Sequence, residues 1–471
     1  MSYNLRSFEM LYDEALQFLY GLTNYERTAP NDVDSALKLE RMRLLLAELG
    51  NPQDRYRVIH VAGTKGKGST CAMLESCLRH FGLRTGMYIS PHLSTFRERM
   101  RVNGQLINVD QVLELTDLVR KAMEKVPGIT TFEAITAMAL LHFARQNVQW
   151  AVIEVGLGGR LDATNVLMPQ ASIITSISYD HMQWLGDTLA LIAREKAGII
   201  KPGVPVISHS QTIEAAMVIE QVAHERNAPL TMIGRHWRWE PSTYSLGVQS
   251  FDIKQPARIR SREKPFVSDL EGHYEIALLG KHQIENASTV IATFDVLRDV
   301  LKADGATYFG SKALHEGLRA AQWPGRFEVL RIDPPLIIDG AHNVDSVNKL
   351  AITLGEYFPG KRWTFIFGGY RDKQIEGMLK VLHSRAQRWI FTRVRDNPRA
   401  MMAEELREIG MRLNLRNVST AASMSEALDL IHDGNEAVCV CGSIALTGEA
   451  RVRWAVKSGR PVPPSDAGNL S

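Results

Sequence analysis

An apolar run that ends in a lysine- and glycine-rich turn constrains this chain more than any other stretch. It reads Val58-Ile59-His60-Val61-Ala62-Gly63-Thr64-Lys65-Gly66-Lys67-Gly68-Ser69-Thr70. Val58, Ile59 and Val61 read as a buried strand. Beyond the turn, Met73, Leu74, Cys77, Leu78 and Phe81 form a helical stripe that Gly82 ends. Glycines let the backbone curl so that successive N–H groups converge on an anion. The helix adds the positive end of its dipole, and Lys67 can reach outer phosphates as a point charge. Strand, turn and helix together point to a nucleoside triphosphate, ATP, held by residues 63–69. The simple pattern G-x-x-x-x-G-K-[ST] is not met, because counting back from Gly66-Lys67 puts Val61 where the first glycine belongs. A glycine-rich turn that holds no phosphate is the alternative.

The rest of the composition sets the frame. A length of 471 residues implies two or three domains. Fifty-five basic residues against 52 acidic ones leave a net charge of +3, too balanced for a nucleic-acid-binding face. Cys71, Cys77, Cys439 and Cys441 form no C-x-x-C pair and read as buried free thiols. No signal peptide and no apolar run of membrane-spanning length is present, so a cytoplasmic protein is expected.

Strands alternating with helices then organise the chain as α/β. One helical face carries Leu11, Ala15, Phe18 and Leu19, and a second carries Leu37, Met42, Leu45 and Leu46. Strands are expected at 87–89, 150–154, 172–177 and 204–207, with helices at 109–123, 131–146 and 281–301. The aromatic-rich segment 236–270 reads as a small, solvated β excursion. A hinge is placed in 302–325, narrowed to 311–325 at Trp323-Pro324-Gly325. Beyond it a second alternation has strands at 336–339, 363–367, 389–392 and 437–441, with helices near 345–357, 400–412 and 423–432. The last ten residues read as a frayed tail. The domains are therefore 1–310, a phosphate-loop parallel-sheet ATPase domain, and 326–471, a smaller Rossmann-like α/β domain.

Further residues carry chemistry. Glu154 closes an apolar strand, where a carboxylate is costly to bury without a cation. It leads into Gly156-Leu157-Gly158-Gly159-Arg160-Leu161-Asp162-Ala163-Thr164-Asn165. Ser90 follows a strand directly and precedes the arginine-rich loop 96–104. Asp339-Gly340-Ala341-His342-Asn343 stands at the carboxyl end of a strand, where parallel sheets bind ligands. Ordinary counterparts are a lysine-paired Glu154, a solvated loop 96–104, a structural Asp180-His181 pair and a surface Lys196.

Six ordered strings, spanning about residues 10 to 450, resemble the folylpolyglutamate synthase/dihydrofolate synthase family of the muramyl-ligase superfamily. They include Gly63–Ser69, the string from Glu154 to Asn165, and Asp339–Asn343. The aromatic segment 236–270 and the tail beyond 455 depart from the pattern. The resemblance implies two Mg²⁺ ions, one on Ser90 and Glu154, the other on His181 and the shared Glu154. It implies a carbamylated Lys196 at the second ion, His282, Gln283 and Asn286 at the adenine end, and Arg326 on the phosphates. It places Asp339 and His342 at the nucleotide and glutamate, with Lys373 and Ser443 at the glutamate site. The implied reaction is ATP-dependent ligation of L-glutamate to reduced folates or dihydropteroate through an acyl phosphate. Lys67 and Arg326 would neutralise charge, and His342 or a nearby acid would take the amine proton. A monomer is the default. The rivals are a muramyl-type amino-acid ligase, disfavoured by Lys65 and the short stretch before the loop, and a nucleotide-switch ATPase that makes no product.

Overall fold

A computed structural model describes residues 5–24, 39–256, 268–395, 397–431 and 436–466. The first half is built on an eight-stranded sheet with the order β4-β3-β2-β5-β1-β6-β7-β8. Its strands are β1 (Arg57–Ala62), β2 (Thr85–Tyr88), β3 (Met100–Val102), β4 (Gln105–Leu106), β5 (Trp150–Glu154), β6 (Ala171–Ile174), β7 (Val206–Ser208) and β8 (Leu230–Met232). The strands from β2 through β8 in that order run parallel, while β3 and β4 add an antiparallel edge.

Period-two alternation along β1 divides the core. Val58 packs with the helices Leu5–Gly21, Val109–Met123 and Thr131–Arg145 on one face. Ile59 and Val61 pack with the helices Lys67–His80, Lys281–Ala303 and Ser311–Ala320 on the other. Helices cover both faces, which is why the central strands are mostly apolar on both sides. In the first helix the buried stripe is Tyr12, Ala15, Leu16 and Leu19, whereas Leu11 is 47% exposed. The expected face was therefore rotated by one position. Leu37 lies outside the described residues.

Three antiparallel strands, β9 (Arg238–Tyr244), β10 (Gln249–Lys254) and β11 (Gly272–Ile276), form the small β excursion. It is not merely solvated. Trp237, Phe251, Tyr274 and Ile276 are buried in the main core, and only β9 is largely exposed. The aromatics among charges were one face of strands whose other face meets water. Residues 257–267 of this stretch lie outside the described ones.

The second half holds a six-stranded sheet, order β12-β13-β17-β14-β15-β16. Its strands are β12 (Glu328–Arg331), β13 (Leu336–Ile338), β14 (Trp363–Phe367), β15 (Ala386–Thr392), β16 (Val418–Ala421) and β17 (Val438–Cys441), parallel except for β12. β12, β16 and the helices Ile375–His383 and Ile444–Lys457 had no counterpart in the sequence reading. Much of the expected hinge is itself a helix. Ser311–Ala320 packs so closely on the helix Lys67–His80 that Ser76 donates to the Gly317 carbonyl at 2.7 Å. The connection between the halves therefore narrows to 321–327.

The described part of the tail is fastened rather than frayed. The Asp466 carboxylate accepts from Thr95 Oγ1 at 2.7 Å, Phe96 N at 2.8 Å and Tyr12 OH at 3.1 Å. All four cysteines are buried and free. Among the described residues no helix is long and apolar enough to cross a membrane.

Candidate active site

Parallel strands of the first sheet end together at one crevice. β1 delivers the turn 63–69, β2 leads to Ser90, β5 ends on Glu154, and β6 leads to Asp180 and His181. The second half closes the crevice with Arg326, Asp339 and His342, leaving a cavity of about 240 Å³.

The turn is held from several sides. Thr64 N and Lys65 N both donate to Ser176 O, at 2.9 and 3.1 Å. Gly66 has φ +91°, and a Cβ there would lie 2.5 Å from Asn286 Oδ1, so glycine alone lets turn and helix meet. Asn286 donates to Gln283 Oε1 at 2.8 Å, and Gln283 donates to Ser69 Oγ at 3.3 Å. The helix Lys67–His80 aims its N-terminus into the cavity, as phosphate binding needs.

Glu154 sits beneath this turn. Lys67 Nζ is 3.7 Å from Glu154 Oε1, and the Ser90 backbone N–H donates to the same carboxylate. Burial raises its pKa to about 6, against the opposing pull of Lys67, Ser90 N–H and Arg326. A buried carboxylate beside a serine hydroxyl is an oxygen-donor pair that suits Mg²⁺. Among the described residues no three His, Cys, Asp or Glu side chains form a metal cage. The turn after Glu154 is braced by Asp162, which accepts from Leu157 N at 2.9 Å and Thr164 N at 3.0 Å.

Lys196 is 4% exposed and donates to Gly63 O at 2.9 Å, so it is no surface lysine. Burial, with Lys67 adding like charge, lowers its pKa to about 7. A large share of this amine is therefore uncharged at neutral pH.

Asp180 gathers groups from both halves. Lys65 Nζ donates to its Oδ2 at 2.7 Å, Lys373 Nζ to its Oδ1 at 3.2 Å, and Asn343 Nδ2 to its Oδ2 at 3.3 Å. Burial disfavours its charge, but the cationic Lys65 and Lys373, with His342 Nε2 3.9 Å away, hold its carboxyl well below the usual carboxylate range. Sequence reasoning gave Asp180 no more than a pairing with His181. Its partners lie 115 to 193 positions away, Asn343 and Lys373 across the crevice, and no local spacing signals them.

His342 donates through Nδ1 to Gly340 O at 2.9 Å, which leaves Nε2 as an acceptor 3.3 Å from Lys65 Nζ. Burial, then Lys65, lowers its pKa to about 4, so the ring is neutral at pH 7. His181 takes a left-handed backbone, φ 50°, with Nε2 3.9 Å from Asp180 Oδ1. Burial likewise lowers its pKa to about 4, which keeps a nitrogen lone pair available to a cation.

Arg326 reaches the crevice from the crossover and has no ion-pair partner among the described residues. Both Asp339 oxygens accept backbone N–H groups, from Phe327 at 2.7 Å and Ala341 at 2.8 Å. Asp339 thus braces the turn that carries Arg326. Ser443, expected near a ligand, is fully buried and caps the helix Ile444–Lys457 through Leu446 N at 3.0 Å.

Two family models match the two halves: the Mur ligase middle domain over residues 61–294 and the Mur ligase glutamate ligase domain over residues 325–444. Fold and site together thus define an ATP-dependent ligase of the Mur type. A dihydrofolate synthase/folylpolyglutamate synthase of Bacillus subtilis is 34% identical over 424 residues, covering 88% of this chain and 94% of that one. A folylpolyglutamate synthase structure from Thermotoga maritima aligns with TM-score 0.78 at 33% identity, covering 96% of this chain and 98% of that one. An Escherichia coli FolC structure in complex with DHPP and ADP aligns with TM-score 0.77 at 29% identity, covering 95% and 98%. The chain belongs to the dihydrofolate synthase/folylpolyglutamate synthase family.

Proposed function

We propose that this chain joins L-glutamate to the carboxylate of reduced folates at the expense of ATP, and that 7,8-dihydropteroate is a second acceptor. One observation supports this most. The phosphate turn, Glu154 with Ser90, and Arg326 converge on one cavity between the halves, with His342 in the same lining beside Lys65. This is a site that can activate a carboxylate and then admit an amine.

The acceptor carboxylate oxygen attacks the γ-phosphorus of ATP, the bond to the β-phosphate oxygen breaks, and ADP leaves an acyl phosphate. Lys67 and Arg326 offset the charge that develops on the transferring phosphoryl group. Ser90, Glu154 and His181 are the residues that would hold two Mg²⁺ ions, which supply further charge neutralisation and orientation. The glutamate amine then attacks the acyl carbon, and phosphate departs. Neutral His342 Nε2 can accept the proton released from that amine. No protein nucleophile is needed, since positioning and electrostatics suffice.

Lys196 supports a carbamate by its burial and its lowered pKa, because only the uncharged amine reacts with CO₂. Its Nζ lies beside Gly63 O, under the phosphate turn. We place the domains at 1–320 and 328–471, joined through 321–327, and expect a cytoplasmic monomer.

The test is ADP release by purified protein with MgATP and L-glutamate, adding tetrahydrofolate or 7,8-dihydropteroate in turn. Stimulation by both is expected, and stimulation by tetrahydrofolate alone would restrict the protein to polyglutamylation. No stimulation by either, with ATP turnover intact, would overturn the folate reading.

A further inference from the structure

A second cavity, of about 120 Å³, lies between the two halves beside the nucleotide crevice. Pro91, Trp323, Arg326 and Ile444 line both, so the two spaces adjoin. Leu93, Leu106, Trp323, Pro463 and Pro464 make its walls apolar. Its charged lining is Arg101, Arg326 and Arg451 against a single carboxylate, Glu98.

That carboxylate is already engaged. Glu98 Oε2 accepts from Leu93 N at 2.8 Å, and Oε1 accepts from Ser94 N at 2.9 Å and Thr95 N at 3.1 Å. Arg451 is paired with Glu328 at 2.8 Å. Arg101 has no ion-pair partner among the described residues. Its Nε donates to the Glu98 backbone carbonyl at 3.4 Å, and its guanidinium lies over the Trp323 ring at 5.6 Å. Burial works against its protonated form and Arg451 adds like charge, while the carboxylates of Glu98 and Glu75 favour it. A space of this kind suits an anion carried on a hydrocarbon chain.

The outer wall comes from the far end of the chain. Asp466 ties the segment carrying Pro463 and Pro464 to the loop 94–96 through its carboxylate, and its own N–H donates to Ser94 O at 3.2 Å. The helix Ile444–Lys457 lies against the same loop, where a Cβ at Gly448 would come within 2.1 Å of Leu93 O.

We propose that this cavity is the subsite for the α-carboxylate of a glutamyl residue already attached to the acceptor, bound by Arg101, with Pro463–Asp466 as its wall. The proposal rests on the folate-ligase reading above. The charge balance separates an attached residue from free L-glutamate. A free amino acid brings an ammonium group that needs an acceptor, and the one carboxylate here is spent on backbone N–H groups. In a glutamyl residue already joined to the folate, that nitrogen is a neutral amide. The shared lining at Arg326 also lets a chain whose end meets the phosphates extend into this space. Arg101 is thus a specificity residue for the acceptor, and Asp466 a positioning residue for the wall.

Steady-state kinetics of the full chain test this, with tetrahydrofolate and its triglutamate as acceptors and with L-glutamate varied separately. Arg101→Ala should raise KM for both folates about tenfold or more, as loss of a charged hydrogen bond would. KM for L-glutamate and for MgATP should stay within about twofold. Arg101→Lys keeps the charge without the planar fork, so a smaller rise is expected. Asp466→Ala should raise the same folate KM values and leave that for L-glutamate alone. A rise in KM for L-glutamate instead would assign the cavity to the incoming amino acid and overturn the proposal. Unchanged folate KM values in folded Arg101→Ala and Arg101→Lys would overturn it while the folate reading stood. A wild-type protein that turns over no folate would overturn both.

Discussion

In the N-terminal half, the groups that face the phosphates meet inside one sheet: Lys67 follows β1, Glu154 ends β5, and they lie 3.7 Å apart. In the C-terminal half, Asn343 and Lys373 point outward and find their partner, Asp180, across the crevice. The phosphate turn and its carboxylate thus meet within one domain, while Arg326 is brought to them from the connection between the halves. The cluster around Asp180, where we propose that the amine enters, exists only where the two halves touch. Domain closure should therefore govern ligation far more than it governs nucleotide binding.

The largest effect is expected at the self-contained side. Glu154→Ala should lower ligation on the order of 10³-fold, as loss of a main electrostatic group would. It removes no apolar contact, so the thermal transition should hold; full activity of the soluble variant would refute the metal assignment. Asp180→Asn comes next, with Lys65 and Lys373 left facing each other. Amide formation should fall on the order of 10²-fold through lost positioning, while ADP affinity measured calorimetrically stays near wild type. If ADP affinity falls in step with ligation, the contrast between the halves fails.

Legibility followed the same divide. Ser90, Glu154 and the turn 63–69 were readable because each stands where a strand ends, and short strings carry that geometry. Lys196 was named, but its burial and its bond to Gly63 O depend on how the helix Leu189–Ala197 packs. Asp180 was undervalued because its partners come from distant segments. The helix Ser311–Ala320 was hidden inside an expected hinge, although its residues Ala313, Leu314, Gly317 and Leu318 are a buried helical stripe. The tail was judged by its prolines and polar residues. What holds it is one carboxylate, whose partners no pattern in the tail itself could reveal.

A smaller effect concerns pH. With its pKa lowered to about 7, Lys196 gains uncharged amine as pH rises through neutrality. If a carbamate forms there, activity in bicarbonate-limited buffer should climb between about pH 6 and 8, and added bicarbonate should lift it most at the low end. Lys196→Ala with wild-type activity in bicarbonate-free buffer would remove the carbamate from the scheme. The smallest effect is expected at Gly66→Ala. Positive φ and the approach of Asn286 Oδ1 should raise KM for MgATP about fivefold, from roughly 1 kcal/mol of strain. An unchanged KM would mean that the turn relaxes around the new methyl group.

The bond from Asp466 to Thr95 spans 371 positions of sequence. At synthesis rates of about 5–20 residues per second, the carboxylate is made roughly 20–70 s after the loop it fastens. By then the strands of the first sheet have long been available to fold. A nascent chain therefore passes through a stage in which the nucleotide cradle can assemble while the loop 94–96 still waits for its clasp. The order of synthesis makes the phosphate turn before the carboxylate that fastens the loop 94–96.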